Sequence, residues 1–376
     1  MRRVWLALIG SSMLAATAHA ESIEVNIPVL VPLTGFLSLE GNSQRNGALL
    51  ALADPPKGIA VRFDVADTGA SPEVAVNALE RALGGGQVSA VVASMLGTQM
   101  LAMLPLARER RVPLLTVSGT AQITELGNPY VFRFFPGDEV TKTAHVRYAV
   151  EELGRRRPAI VYQTTAYGQS GRRHIVENLA RLGVSPVFEQ GIDVQIRDMS
   201  TILSKARATD PDVILLHLHS APTALFVRQA AAMNLDAPIV AGSAMHQPPT
   251  AALLEPAELK NVCAEANASP VSGGSPELDR FLADYRATFG GEPDGFALAQ
   301  YDAVRMTFAA VEAGARGADE LAAALSRMTY DGLAMRYRSD GKGNMAHSAV
   351  IMCYDGASRV PRIVKRYENL TGALAN

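Results

Sequence analysis

Cysteine, tryptophan and any excess of positive charge are what this sequence has least of. Two cysteines, Cys263 and Cys353, and one tryptophan occur in 376 residues. Two isolated cysteines exclude a thiolate metal centre of the usual paired spacing. In an oxidising compartment they can pair, but the spacing leaves the pairing open. The formal charge is −2, with no basic stripe or tail, so nucleic acid is not an expected partner. Arg155-Arg156-Arg157 is an isolated run at a helix-to-strand turn and reads as a solvated corner. Gly84-Gly85-Gly86 lacks the lysine and spacing of a phosphate loop. Asp64 and Asp67 lack the oxygen-ligand density of a calcium loop. Gly168-Gln169-Ser170-Gly171 falls short of a nucleophile elbow, because residue 172 is arginine. No cofactor, no metal and no catalytic constellation are expected.

After the N-terminus no apolar run reaches the ~20 residues of a membrane span. The first 20 residues, MRRVWLALIGSSMLAATAHA, combine Arg2 and Arg3, a short apolar stretch and Ala18-His19-Ala20. This is the layout of a cleavable secretory leader. Its loss leaves 33 basic against 37 acidic side chains, a net of −4, in 356 residues beginning at Glu21. That length exceeds what one core usually covers, so two lobes are expected.

Strand and helix signals alternate from there on. Apolar runs at 23–33, 61–66, 88–93 and 113–117 are separated by helical patterns at 45–53, 72–83 and 98–110. Pro72 opens one helix and the Gly84–Gly86 run ends it, the usual asymmetry of helix ends. The pattern restarts with strands at 159–162, 187–190, 213–216 and 238–241. Helical patterns lie at 141–153, 168–182, 200–208, 221–233, 276–289, 296–313 and 320–328, and strand-like pieces at 349–354 and 362–367. The fold class predicted is α/β: two doubly wound parallel-sheet lobes with a ligand cleft between them. Met95, Met100 and Met103 read chiefly as helix packing, with room for a methionine in an apolar pocket wall.

Two strand ends repeat one design. Ala90–Ala93 is followed by Gly97-Thr98, and Val112–Val117 by Ser118-Gly119-Thr120. Gly97 allows close backbone approach, and Thr98 is placed to cap the helix after it. Free N–H groups there favour an anion, and Ser118 and Thr120 add hydroxyl donors. Together the corners suit a carboxylate without a buried cation. Ordinary capping is the other reading of the same residues.

Five collinear stretches then carry a resemblance. IPVLVPLTGFLSLEGNSQRNGALLALA (27–53), VPLLTVSGTAQITELGNPYVFRFFPGDEV (112–140), AYGQSGR (166–172), ATDPDVILLH (208–217) and FVRQAAAMNL (226–235) resemble, in order, segments of one family. It is the periplasmic binding proteins of branched-chain amino acid ABC importers. The resemblance implies a type I periplasmic binding protein fold. Lobe 1 would span 21–138 plus 268–348, and lobe 2 139–267 plus 349–376. Crossings would lie near 136–141, 264–270 and 346–351. It implies a monomer, released to the periplasm, that meets an inner-membrane ABC permease. It places the ligand's carboxylate at Gly97, Thr98, Ser118 and Thr120. Tyr167 would close over it, Phe296 would lie near the mouth, and Glu40 would stand where the family often has an aromatic contact.

Two positions depart from that family. His219 stands where tyrosine is usual, and Ser243 stands where an acid receives the ligand's ammonium. No acid lies between Asp236 and Glu255, and a buried ammonium needs a partner. Either Glu40 supplies that charge from another wall, or the ligand is an aromatic or aliphatic carboxylate without an ammonium. His219 could then meet a ring hydroxyl or a second carbonyl; alternatively His217 and His219 mark a strand end with one buried, satisfied imidazole. A periplasmic sensor reporting to a receptor kinase is a further reading of the same fold.

Overall fold

The computed structural model describes residues 22–269, 274–371 and 373–374; the predicted leader lies outside them. The first strands are β1 (Ile23–Asn26), β2 (Val29–Val31), β3 (Ile59–Arg62), β4 (Val65–Asp67), β5 (Val91–Ala93), β6 (Leu114–Thr116) and β7 (Val131–Arg133). β1 and β3 pair as a small parallel ribbon, and the other five form a parallel sheet in the order β4-β2-β5-β6-β7. Next come β8 (Pro158–Gln163), β9 (Phe188–Ile192), β10 (Val213–His217), β11 (Ile239–Ala241) and β12 (Val262–Ala266). β13 (Thr329–Asp331) and β14 (Arg336–Arg338) make a hairpin. β15 (Ala349–Cys353) and β16 (Arg362–Tyr367) complete a seven-stranded sheet, β16-β15-β12-β11-β10-β8-β9.

The two sheets share one winding. Each steps outward once, from β2 to β4 and from β8 to β9, then restarts on the other side with β5 and β10. The order therefore reverses between β2 and β5 and between β8 and β10, the switch points at which open α/β sheets hold ligands.

The strands read as unbroken apolar runs because both faces are covered. In β10, Ile214 and Leu216 enter one core while Val213 and Leu215 enter another on the opposite face. In β8, Ala159 and Val161 divide from Ile160 in the same way. In the smaller sheet, Val91 and Ala93 face one core and Val92 the other. Each fully buried Val, Leu or Ile contributes about 1.5–3 kcal/mol.

Several sequence expectations need correction. The larger sheet is mixed, because β15 runs antiparallel to β12 and β16 antiparallel to β15. The single predicted strand 23–33 is divided at Pro28 into β1 and β2, and 61–66 is likewise two strands, β3 and β4. The first helix begins at Ser38, not near Arg45. Strands β7 and β12 escape the pattern. Each carries one charged residue, Arg133 or Glu265, that is buried because it has partners on other elements. Thr98 is not a cap: Leu96 holds the cap position, without a side-chain bond, and the helix Gly97–Arg110 already includes Thr98.

Cys263 and Cys353 stand directly opposite each other on β12 and β15 and form a disulfide. Met100 and Met103 are core residues, as read from the sequence, whereas Met95 borders the cavity between the sheets. Ser170 lies within the helix Ala166–Arg181 and accepts from the Ala121 N–H at 3.0 Å, so it is a structural hydroxyl and no elbow nucleophile.

Candidate functional site

Six strand ends converge between the sheets. From the five-stranded side come the segments after β2 (Phe36, Leu37, Glu40), after β5 (Met95, Gly97) and after β6 (Val117–Thr120). From the seven-stranded side come the segments after β8 (Tyr167), β10 (His219) and β11 (Ser243, Ala244). Phe296 joins them from the helix Gly295–Glu312. Leu37, Glu40, Met95, Val117, Gly119, Tyr167, His219, Ser243, Ala244 and Phe296 enclose a cavity of about 20 Å³, room for about one water. The strand ends of the two sheets therefore lie close against one another here.

Of the residues selected from sequence, Glu40, Tyr167, His219, Ser243 and Phe296 form the cavity wall. Gly97, Ser118 and Thr120 lie behind it, fully buried, and Thr98 is half-buried at the first turn of its helix. A Cβ built on Gly97 would stand 2.0 Å from Thr120 Oγ1, so the two corners touch and only glycine fits at the contact. The hydroxyls of Ser118 and Thr120 are buried without a partner. A neutral hydroxyl kept in that state costs about 1–3 kcal/mol.

The corner is held from behind. The guanidinium of Arg133 is wholly buried. It donates to the carbonyl of Thr120 at 3.0 Å and that of Gly119 at 3.4 Å, and it also contacts Glu139 and Asn344. The Asp138 N–H donates to the same Gly119 carbonyl at 2.8 Å. These bonds fix the carbonyls of Gly119 and Thr120 on Arg133 and the Asp138 N–H.

On the opposite wall Tyr167 stacks on His219, ring centres 4.9 Å apart, and lies 3.8 Å from the His217 ring. Phe36 approaches His219 from the other lobe at 5.5 Å. His217 Nε2 donates to the Tyr167 carbonyl at 3.0 Å, and Gly171 is needed because a Cβ there would lie 2.1 Å from the His217 ring. The Tyr167 and Ser243 hydroxyls are bonded at 3.2 Å.

Burial sets the charges. It pushes His219 down to about 3 and lowers His217 well below the usual imidazole range, so both rings are neutral. It raises Glu40 and carries Asp138, behind Gly119 and Tyr167, up to about 8. Deeper in the seven-stranded lobe, burial would raise Glu265, but the Lys142 ammonium and His145 outweigh it and hold the carboxyl at about 2. Lys142 and Arg133 are thus engaged elsewhere, and among the described residues no lysine or arginine lines the cavity. Among the described residues no group of His, Cys, Asp or Glu could hold a metal ion.

A family model described as "Periplasmic binding protein" matches residues 24–358. The chain belongs to this family. Among its relatives is the Leu/Ile/Val-binding protein BraC3 of Rhizobium johnstonii, 24% identical over 326 residues, 85% of this chain and 87% of that protein. The leucine-binding protein LivK of Thermotoga maritima superposes with a TM-score of 0.83 at 24% identity, covering 91% of this chain and 98% of that one. A solute-binding protein of an ABC transporter from R. palustris, solved in complex with 4-hydroxybenzoate, superposes with a TM-score of 0.83 at 18% identity, covering 94% and all 100% of that chain. The shared fold is the type I periplasmic binding protein fold, and the relatives named are binding proteins, one of them of an ABC transporter.

Sequence reading passed over Leu37, Val117, Gly119 and Ala244 as wall residues, over Phe36 beside the His219 ring, and over Ser220, Gln247 and Arg133 as supports. Phe36 beside Gly35 at a strand end carried a usable signal. Gln247 and Arg133 carried none, since their roles depend on partners 27 and 211 residues away.

Proposed function

We propose that the protein is the periplasmic solute-binding component of an ABC importer, taking a small carboxylate between its lobes and handing it to an inner-membrane permease. The observation that carries this reading is the pair of buried, unpartnered hydroxyls of Ser118 and Thr120 beside the Gly97 helix start. With the first-turn N–H groups of Gly97 and Thr98 they make an anion site that needs no cation. Tyr167, His219, Ser243 and Phe296 close the other sides, and Glu40 reaches across to the second lobe. Residues 1–20 would direct export and be removed. The lobes would be 21–138 with 268–348 and 139–267 with 349–376, so that closure turns on three crossings. The protein acts as a monomer and carries out no chemistry on its ligand.

The test is a thermal-shift panel on the chain beginning at Glu21. Branched-chain and other amino acids stand beside benzoates, hydroxycinnamates and branched keto acids. A ligand at a hundredfold excess over Kd adds about 2.7 kcal/mol to stability. A shift with at least one carboxylate, absent with its amide, is expected. A panel in which no carboxylate shifts the melt removes the reading.

A further inference from the structure

Four polar groups form a chain across the closed interface. The N–H and hydroxyl of Ser220, at the start of the helix Ser220–Ala232, lie 2.9 and 2.5 Å from Glu40 Oε1. The same hydroxyl lies 2.8 Å from Gln247 Oε1, and Gln247 Nε2 lies 2.7 Å from Asp294 Oδ2. Glu40 and Asp294 come from one side of the cleft, Ser220 and Gln247 from the other. All four side chains are buried.

The protons in this chain can be counted. Three side-chain contacts link the four groups, and each needs one proton. The serine hydroxyl supplies one and the glutamine amide supplies one, whichever way that amide is turned. The third must sit on a carboxyl group, Glu40 or Asp294. Asp294 accepts two further bonds, from Ser43 Oγ and from the Ala297 N–H at 2.9 Å, and caps the helix Gly295–Glu312. With Gln247 Nε2 donating to Asp294 Oδ2, that contact needs no proton from the acid. The proton therefore belongs to Glu40, and the burial that raises its pKa acts in the same direction.

A protonated Glu40 changes what the cleft can bind. It offers an ammonium no charge. Ser243, the other candidate partner, is a neutral hydroxyl already bonded to Tyr167. The rest of the wall is Leu37, Met95, Val117, Gly119, Ala244 and Phe296 with the neutral His219. Yet Glu40 Oε2 is buried and has no partner. An oxygen in that position, on a residue bordering the cavity, needs a donor from the solute.

Resting on the reading of the cleft as a carboxylate site, we propose that the solute is a carboxylate carrying a hydroxyl and no ammonium, its hydroxyl donating to Oε2 of Glu40. Phe36, Tyr167, His219 and Phe296 supply flat apolar surface for its body.

Two matched series test this on the intact mature chain by calorimetry. One is benzoate, 4-hydroxybenzoate and 4-aminobenzoate. The other is isocaproate, 2-hydroxyisocaproate and leucine, which carry hydrogen, hydroxyl and ammonium on one skeleton. In the series that binds, the hydroxyl member is expected to bind about 10- to 100-fold tighter than its unsubstituted parent, the span set by leaving one buried acceptor unpaired. The Glu40→Leu variant, checked for folding by circular dichroism, is expected to bind the two alike. Leucine binding tightest overturns the proposal and makes Glu40 an ionised ammonium partner. Parent and hydroxyl members binding alike to the unaltered protein also overturns it. Either result leaves the carboxylate site standing. Binding of no member in either series overturns this proposal, whereas the carboxylate site falls only if no carboxylate of the wider panel shifts the melt.

Discussion

Gly97 and Thr120 touch across two neighbouring strand ends: a single added carbon on Gly97 would fall 2.0 Å from the threonine Oγ1. The contact joins the helix start after β5 to the hydroxyl corner after β6. Gly97→Ala is expected to push Thr120 out of the corner. Calorimetry should show ligand affinity lost by at least about tenfold, the scale of one buried hydrogen bond. Unchanged affinity would mean that the corner does not hold the solute.

Ser118→Ala and Thr120→Ala address the orphan hydroxyls directly. Neither hydroxyl has a partner within the protein, so each substitution should leave the melting temperature unchanged or slightly raised. Each should weaken ligand binding by about 1–3 kcal/mol. The pairing of intact stability with lost affinity separates a binding role from ordinary capping, which would cost stability in the free protein.

Glu265 makes the protein acid-sensitive. Its carboxyl meets Lys142 and His145, all buried, and its folded pKa of about 2 lies below the unfolded value of 4.5. The folded state therefore binds fewer protons than the unfolded chain between these values. The stabilisation is complete above pH 4.5 and is lost as pH falls toward 2. Denaturant melts across that window should show the decline. Glu265→Gln should flatten it and lower stability at neutral pH by about 3–5 kcal/mol, because Lys142 is left buried and unpaired.

The Cys263–Cys353 bond closes a loop with a sequence separation of 90. Loop-closure entropy assigns such a crosslink about 4–5 kcal/mol. The double variant Cys263→Ser, Cys353→Ser should melt correspondingly lower. Its ligand affinity should hold, because the pair lies on β12 and β15 and neither residue borders the cavity. Equal melting of the variant and the oxidised protein would show that the bond does not constrain the unfolded chain.

Local pattern by itself determined most of the architecture. Alternating apolar runs and amphipathic helices specify a covered parallel sheet, and a chain this long specifies two of them. The pairing of glycine, serine and threonine at two neighbouring strand ends was also legible, since those residues lie within a few positions of the strands that carry them. Tertiary structure decided what depends on distant partners. Glu265 and Arg133 look out of place in β12 and β7 until Lys142, His145, Glu139 and Asn344 are beside them. The antiparallel edge strands and the cysteine pair likewise required a register between segments far apart in the chain. The state of Glu40 is the clearest case. Its sequence position marks only an acid near a strand end, and its proton is assigned by the relay that runs through Ser220 and Gln247 of the other side to Asp294. Charge in a buried site belongs to the assembled set of donors and acceptors, and no single residue in the sequence carries it.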